Sequence, residues 1–292
     1  MRRFEEYHPL VQAVYFAAIL LISMFTLHPF VLFLSLIGAV SLIFVRRSRV
    51  SGRTIGFFLL LFFLMAVLNP LTNHRGKTVL FVLNSNPVTF EALAFGLTAG
   101  LMIICVCFWF ISVTEILTSE RLLYLFGTIS PKFALMLSLL LRLIPMYGRK
   151  REQIVDSQRA LGLFKEDNAI DSLRGHARVF SVMVSWALEN GIVTADSMAA
   201  RGYGNGKRTS YSIFRFRKTD AYLIGAEMVL SVLTIVALTT GALQISFYPG
   251  ITMNNPGGWT YIGMAAFGIL SLLPALLTIL EEVRWKFLQS KI

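Results

Sequence analysis

The run A-D-S-M-A-A-R-G-Y-G-N-G-K-R-T, Ala195 to Thr209, has the glycines and the Gly-Lys step of a phosphate-binding loop. Such a loop needs G-x-x-x-x-G-K-[ST], whose backbone N–H groups cradle phosphates and whose hydroxyl holds magnesium. With Gly206-Lys207 as that pair, the hydroxyl position holds Arg208 and the first glycine position holds Arg201. Two required positions fail, and the run follows a predicted helix instead of joining a strand to one. The spacing argues against nucleotide hydrolysis by this chain alone. Glu91 and Glu115 fall near opposite ends of one apolar segment, too far apart for paired acid–base work. His8, His28, His74 and His176 lie in different segments, so no metal or nucleophile constellation emerges. Cys105 and Cys107, two residues apart, sit on different faces of a helix and suit packing better than a disulfide or a metal pair. The chain reads as non-enzymatic, with no cofactor or metal of its own.

What survives of the glycine-rich run is Ala200-Arg201-Gly202 at a helix end. Two readings stand. A cation near a helix C-terminus complements the macrodipole by about 0.3–1 kcal/mol. Alternatively, the planar, permanently charged fork of Arg201 projects toward carbonyls or acidic groups on a partner.

The elements that must carry this tip belong in lipid. Of the 292 residues 55% are hydrophobic and 15% charged, and mean hydropathy is +0.67; a soluble domain carries about 25% charged residues. The net charge of +11 sits in short Lys/Arg clusters between apolar blocks, as positive-inside loops do. No basic stripe interleaved with aromatics is present, so nucleic acid is not the expected partner. From Leu10 to Val45 there is no Lys, Arg, Asp or Glu, and His28-Pro29 breaks this stretch into helices over about 10–27 and 29–45. The first follows M-R-R-F-E-E-Y-H and reads as an uncleaved span. Further spans are predicted at about 54–70, 89–112, 221–244 and 259–280, with Gly96 and Gly100 allowing close packing in the fourth. The loop over 71–87 carries turn residues and belongs outside. Arg46, Arg47, Arg49 and Arg53, together with Arg2, Arg3, Arg284, Lys286 and Lys291, mark the cytoplasmic side and place both termini there.

The expected architecture is an all-α membrane protein of about six spans with long cytoplasmic helices. It divides into a four-span region 1–112, a cytoplasmic or interfacial region 113–220 and a C-terminal hairpin 221–292. Within the middle region, Phe133 to Pro145 is an apolar stretch of 13 residues, the length of an interfacial or re-entrant helix. A charged helix over 147–162 should follow, then a polar break around Lys165–Asp171, then a long helix over about 171–201 stopped by Gly202. Leu188, Ile192, Ala195 and Ala199 make a narrow apolar stripe on that last helix.

M-A-A-R-G-Y-G-N-G-K-R-T resembles the second Ala-Arg-Gly signature of the transmembrane T component of energy-coupling factor transporters, the cobalt-transport permease-like family of ABC-type importers. L-L-L-R-L-I-P-M-Y followed by I-V-D-S-Q-R-A-L-G is similar to the segment leading into the family's first signature. N-P-L-T-N-H-R-G-K-T-V-L-F and T-F-E-A-L-A-F-G are similar to its middle region, so the likeness covers most of Asn69 to Thr209. The resemblance implies two coupling helices that cross and press small-residue tips into grooves on two ABC-type ATPase subunits, which hold the ATP and magnesium. A separate small membrane subunit would bind the vitamin or micronutrient, in a prokaryotic cell membrane. Ala200, Arg201 and Gly202 carry over to the second signature. The first departs from it, since Ala160-Leu161-Gly162 stands where Ala-Arg-Gly is expected; either Arg159 supplies the cation or that contact is apolar. Phe133, Met136, Leu137 and Leu140 are the expected contacts to the substrate-binding subunit, unless their helix simply lies in the interface. A self-sufficient multi-spanning permease or channel is the alternative, but it leaves the long cytoplasmic helices unexplained and finds little polar lining in the spans.

Overall fold

The order of elements follows the punctuation of the chain. The computed structural model describes residues 3–83, 86–163, 168–206, 214–255 and 257–289. The end of the glycine-rich run (Lys207 to Thr209), the terminal cations Arg2 and Lys291, and Lys165 to Asp167 lie outside the described residues. A 3-10 turn, Phe4–Glu6, precedes α1 (Pro9–Phe25), which His8 caps by accepting from the Leu10 N–H. Thr26 is extended, and Pro29 opens α2 (Pro29–Arg46), where a proline at N1 gives up no helical bond. α3 is Gly52–Thr72 and α4 Phe90–Ile116. α5 (Ser119–Ile129), α6 (Pro131–Ala160) and α7 (Ala169–Ala200) follow, then α8 (Lys218–Thr239) and α9 (Gly258–Gln289). The chain is an all-α membrane protein with two small hairpins.

The first hairpin, β1 (Val79–Leu83) with β2 (Asn86–Thr89), occupies what the sequence presents as an irregular loop. Val79, Leu80 and Val82 favour strand, and a hydrophobic connecting segment needs backbone pairing. The second joins β3 (Ile245–Ser246) to β4 (Thr252–Met253).

Six described helices are long and apolar enough to cross a membrane: α2, α3, α4, α6, α8 and α9. The number agrees with the sequence reading but the membership does not. α1 has 17 residues, shortened at both ends by Pro9 and the Thr26–Pro29 break, and is replaced in the set by α6. The expected split at Pro145 is also absent, because α6 runs through it for 30 residues. A mid-helix proline costs about 3 kcal/mol. Good helix formers flank this one on both sides, and the packing of α6 on α7 begins just beyond it, which offsets that loss. α9 likewise continues past its apolar stretch to Gln289.

The chain forms two compact units, Met1–Leu122 with Phe214–Ile292, and Leu123–Ile213. In the first, Tyr15, Phe16, Trp109, Phe267 and Leu270 are fully buried at its centre. α3 and α4 approach closely through Gly96 and Gly100: a Cβ on Gly96 would stand 3.0 Å from the Met65 carbonyl oxygen, and one on Gly100 2.9 Å from the Phe62 ring. The N-terminal turn is tied down by polar groups. Gln12 Nε2 donates to the carbonyls of Phe4 and Glu5, both at 3.0 Å, and Arg121 donates to Glu5 O, Ile116 O and Gln12 Oε1 at 2.7–2.8 Å. Arg46 pairs with both Glu5 and Glu115, and Ser48 donates to Glu115. Glu115, which the sequence presents as a lone carboxylate, is therefore structural. So is Glu91, which accepts from the N–H groups of Lys77 and Thr78 and from the Thr78 hydroxyl at 2.6 Å.

Candidate docking site

The second unit is built on α6 and α7. They touch where Ile154 and Val179 are buried with Val155 and Met183 against them. Tyr147 meets the Trp186 ring edge-on at 5.5 Å, and Lys150 Nζ stands 5.5 Å from the same ring's centre. As residue numbers rise along α6 from Tyr147 to Ile154, their partners fall from Trp186 to Val179, so the two helices cross in an antiparallel sense. An aromatic pair and a cation over an indole each contribute about 0.5–1.5 kcal/mol beyond burial. That fixes the crossing with few residues. It leaves the helix ends free of it.

Both ends are finished identically. In α6 the Gly162 N–H donates to Arg159 O at 2.9 Å and the Leu163 N–H to Gln158 O at 2.9 Å; in α7 the Gly202 N–H donates to Ala199 O at 2.9 Å and the Tyr203 N–H to Met198 O at 3.0 Å. These are two Schellman motifs, with Gly162 (φ +67°) and Gly202 (φ +76°) in the left-handed conformation that glycine adopts without strain. The preceding residues, Leu161 (φ −84°, ψ 1°) and Arg201 (φ −81°, ψ 8°), share one backbone state. One turn upstream, Ser157 Oγ donates to Gln153 O at 2.8 Å and Ser197 Oγ to Val193 O at 2.7 Å. The correspondence is an internal repeat: D-S-Q-R-A-L-G-L at 156–163 matches D-S-M-A-A-R-G-Y at 196–203, forty positions on. That signal was available in the sequence. Comparing the tips with each other, and not only with an outside pattern, would have found Asp156, Ser157, Asp196 and Ser197.

The two caps align residue by residue. Leu161, not Arg159, is the counterpart of Arg201; Arg159 sits two places earlier, on the last turn of the helix. Ala160, Leu161, Gly162, Ala200, Arg201 and Gly202 are all exposed, Leu161 to 70%. No ion pair among the described residues engages Arg201. The stripe on α7 is exposed too: Leu188 and Ile192 are 65% and 64% accessible, with Ala195 and Ala199 beside them. On α6, Phe133, Met136 and Leu140 are exposed along one face and Leu137 is half-buried at its edge. Each tip offers an exposed alanine and glycine with one long side chain between them, Leu161 or Arg201, an arrangement suited to contact. Among the described residues no group of three or more His, Cys, Asp or Glu could hold a metal ion.

A carboxylate inside a predicted span escaped the sequence reading. Glu227 lies in α8, fully buried, and neither carboxyl oxygen has a hydrogen-bond partner among the described residues. Its single appearance in an apolar run was the only signal.

The chain was compared with known proteins. The model of the cobalt transport protein family (CbiQ) matches residues 4–211. Two relatives bear the description energy-coupling factor transporter transmembrane protein EcfT. That of Listeria innocua is 30% identical over 173 residues, 54% of this chain and 64% of that protein. That of Lacticaseibacillus paracasei is 29% identical over 107 residues, 36% of this chain and 40% of that protein. The matched stretches thus cover less than two thirds of either relative.

Proposed function

This chain belongs to the cobalt transport protein family, and on that premise we propose that it is the transmembrane coupling subunit of an energy-coupling factor importer. The observation that carries the reading is the pair of matching helix tips, 160–162 and 200–202, exposed at the ends of two crossed helices. A chain that hydrolysed nucleotide or passed substrate by itself would have no use for two equivalent, exposed helix ends. Two ATPase subunits, alike or different, would each receive one tip in a groove. ATP and magnesium bind on those subunits, and their hydrolysis cycle would change the distance between the grooves.

The crossed pair would convert that change into movement at the membrane. There a small substrate-binding membrane subunit would reorient and release a vitamin or metal micronutrient inside. Phe133, Met136, Leu137 and Leu140 offer it an apolar face. Asp156 and Asp196, one turn above each tip and both exposed, would suit basic groups at the rim of each groove. The clusters Arg46–Arg53 and Arg284–Lys286 would face the cytoplasm with both termini, in a prokaryotic cell membrane. The alanines let the partner's backbone approach closely. Arg201 adds a directed hydrogen-bonding fork on one side only, so the two grooves would differ in chemistry.

The test is affinity purification of the full chain in mild detergent, with bound proteins identified by mass spectrometry. Two ATPase subunits and a small membrane protein are expected, and the small protein would identify the substrate. Substrate flux by the reconstituted chain alone would overturn the scaffold reading in favour of a self-sufficient permease.

A further inference from the structure

At one end of the first unit a cavity of about 770 Å³ opens between the N-terminal turn, the end of α2 and the last turns of α9. We propose that it holds the headgroup of a phospholipid, with the phosphodiester on Arg47 and Lys286. This goes beyond the coupling role and does not depend on it.

Depth is the first argument. The walls come from the points where two apolar helices end: Val45 and Thr278 come earlier along α2 and α9, Arg47 is the C-cap of α2 and Lys286 lies two turns further along α9. A lipid has the same gradient, and basic pockets between spanning helices are known headgroup sites. Trp285, 56% exposed in the wall, is the residue type enriched at that level of a membrane. Charge is the second. Arg46 is only 14% exposed and is held by Glu5 and Glu115, and Arg3 stands 3.9 Å from Glu282. No ion pair among the described residues engages Arg47 or Lys286, so these two cations remain for a ligand. The acceptors Glu6 and Glu282 suit a headgroup that donates hydrogen bonds, as glycerol does and choline does not. Arg47 is the left-handed C-cap of α2 (φ +54°): its N–H donates to Phe44 O and the Ser48 N–H to Ile43 O, so α2 ends where the cavity opens.

The experiment uses the full chain in detergent micelles doped with equal phosphatidylglycerol and phosphatidylcholine, reading retained lipid by native mass spectrometry. The wild type should retain phosphatidylglycerol preferentially. Arg47→Asn with Lys286→Gln removes both charges while asparagine tolerates the left-handed conformation. The pair should lower retention about 30-fold, from two membrane-surface charges. Arg53→Gln, on the same side but outside the cavity, should leave retention unchanged. Equal retention of both lipids, an equal loss in Arg53→Gln, or no loss in the double variant would overturn the site. Complete displacement by glycerol 3-phosphate would overturn the lipid assignment in favour of a soluble phosphate ester.

Discussion

Gly202→Ala separates conformation from contact at the α7 tip. The Cβ it adds would meet only Asn205 Nδ2, at 3.9 Å, so there is no clash. The cost is the left-handed backbone at φ +76°, about 1–2 kcal/mol for an L-residue. That shifts the balance between closed and frayed cap by about 5- to 30-fold. The tip is exposed and lies more than a dozen residues beyond the buried Val179, so the unfolding midpoint of the whole chain should scarcely move. Docking of the ATPase pair should weaken by up to the same factor, measured by titrating purified ATPases against the immobilised chain in detergent. Gly202→Asn is the control, because asparagine enters the left-handed region more readily while adding a larger side chain. Restored docking in the asparagine variant supports a conformational role. Equal loss in both variants would refute the reasoning, since any side chain would then be blocking the groove. Wild-type docking by both would show that the cap has no part in docking.

Four further outcomes are expected. Arg201→Glu should weaken ATPase docking while leaving membrane insertion intact; unchanged co-purification and transport would count against a docking role. Leu161→Arg should keep or strengthen docking at the first tip, because it restores the cation on a backbone that already matches; loss of assembly would mean that this groove has become apolar. Glu227→Leu should raise thermal stability by about 1–3 kcal/mol, the penalty of a buried polar group without partners. A fall in stability would show that the carboxyl is engaged in the membrane. His28, outside the spans, has its pKa lowered by burial, and its ring nitrogens have no partner among the described residues. Over the window just below 6.5 the unfolded chain therefore binds more protons than the folded one. Stability should fall as pH drops through that window, less steeply in His28→Asn; parallel profiles for the two would remove His28 as the cause.

Much of the membrane region was legible because apolar length and proline punctuation act locally. The end of α2 at its arginines and the stop of α7 at Gly202 follow directly from such rules. Pro145 shows their limit. A local penalty of a few kcal/mol was outweighed by tertiary packing at Tyr147, Ile154 and Trp186, which no window of sequence displays. The hairpin at 79–89 was hidden for a related reason, since strand pairing depends on a partner. At the tips the residue types and the place of Leu161 were visible, but the matching caps behind them, with Gly162 and Gly202 left-handed and the same pair of hydrogen bonds at each end, needed the backbone geometry. Glu227 was overlooked because a single acid in an apolar run changes no average.

The crossing of α6 and α7 also sets a mechanical ratio. The contact centres near residue 151 on α6 and 182 on α7. At 1.5 Å per residue the arm to Ala160 is about 14 Å and the arm to Ala200 about 27 Å. A rotation about that pivot sweeps Arg201 about twice as far as Leu161. Under the proposed docking, equal torque at the two tips would mean a short stroke of high force at the leucine end and a long one of low force at the arginine end. The end with the greater travel is the one that carries Arg201.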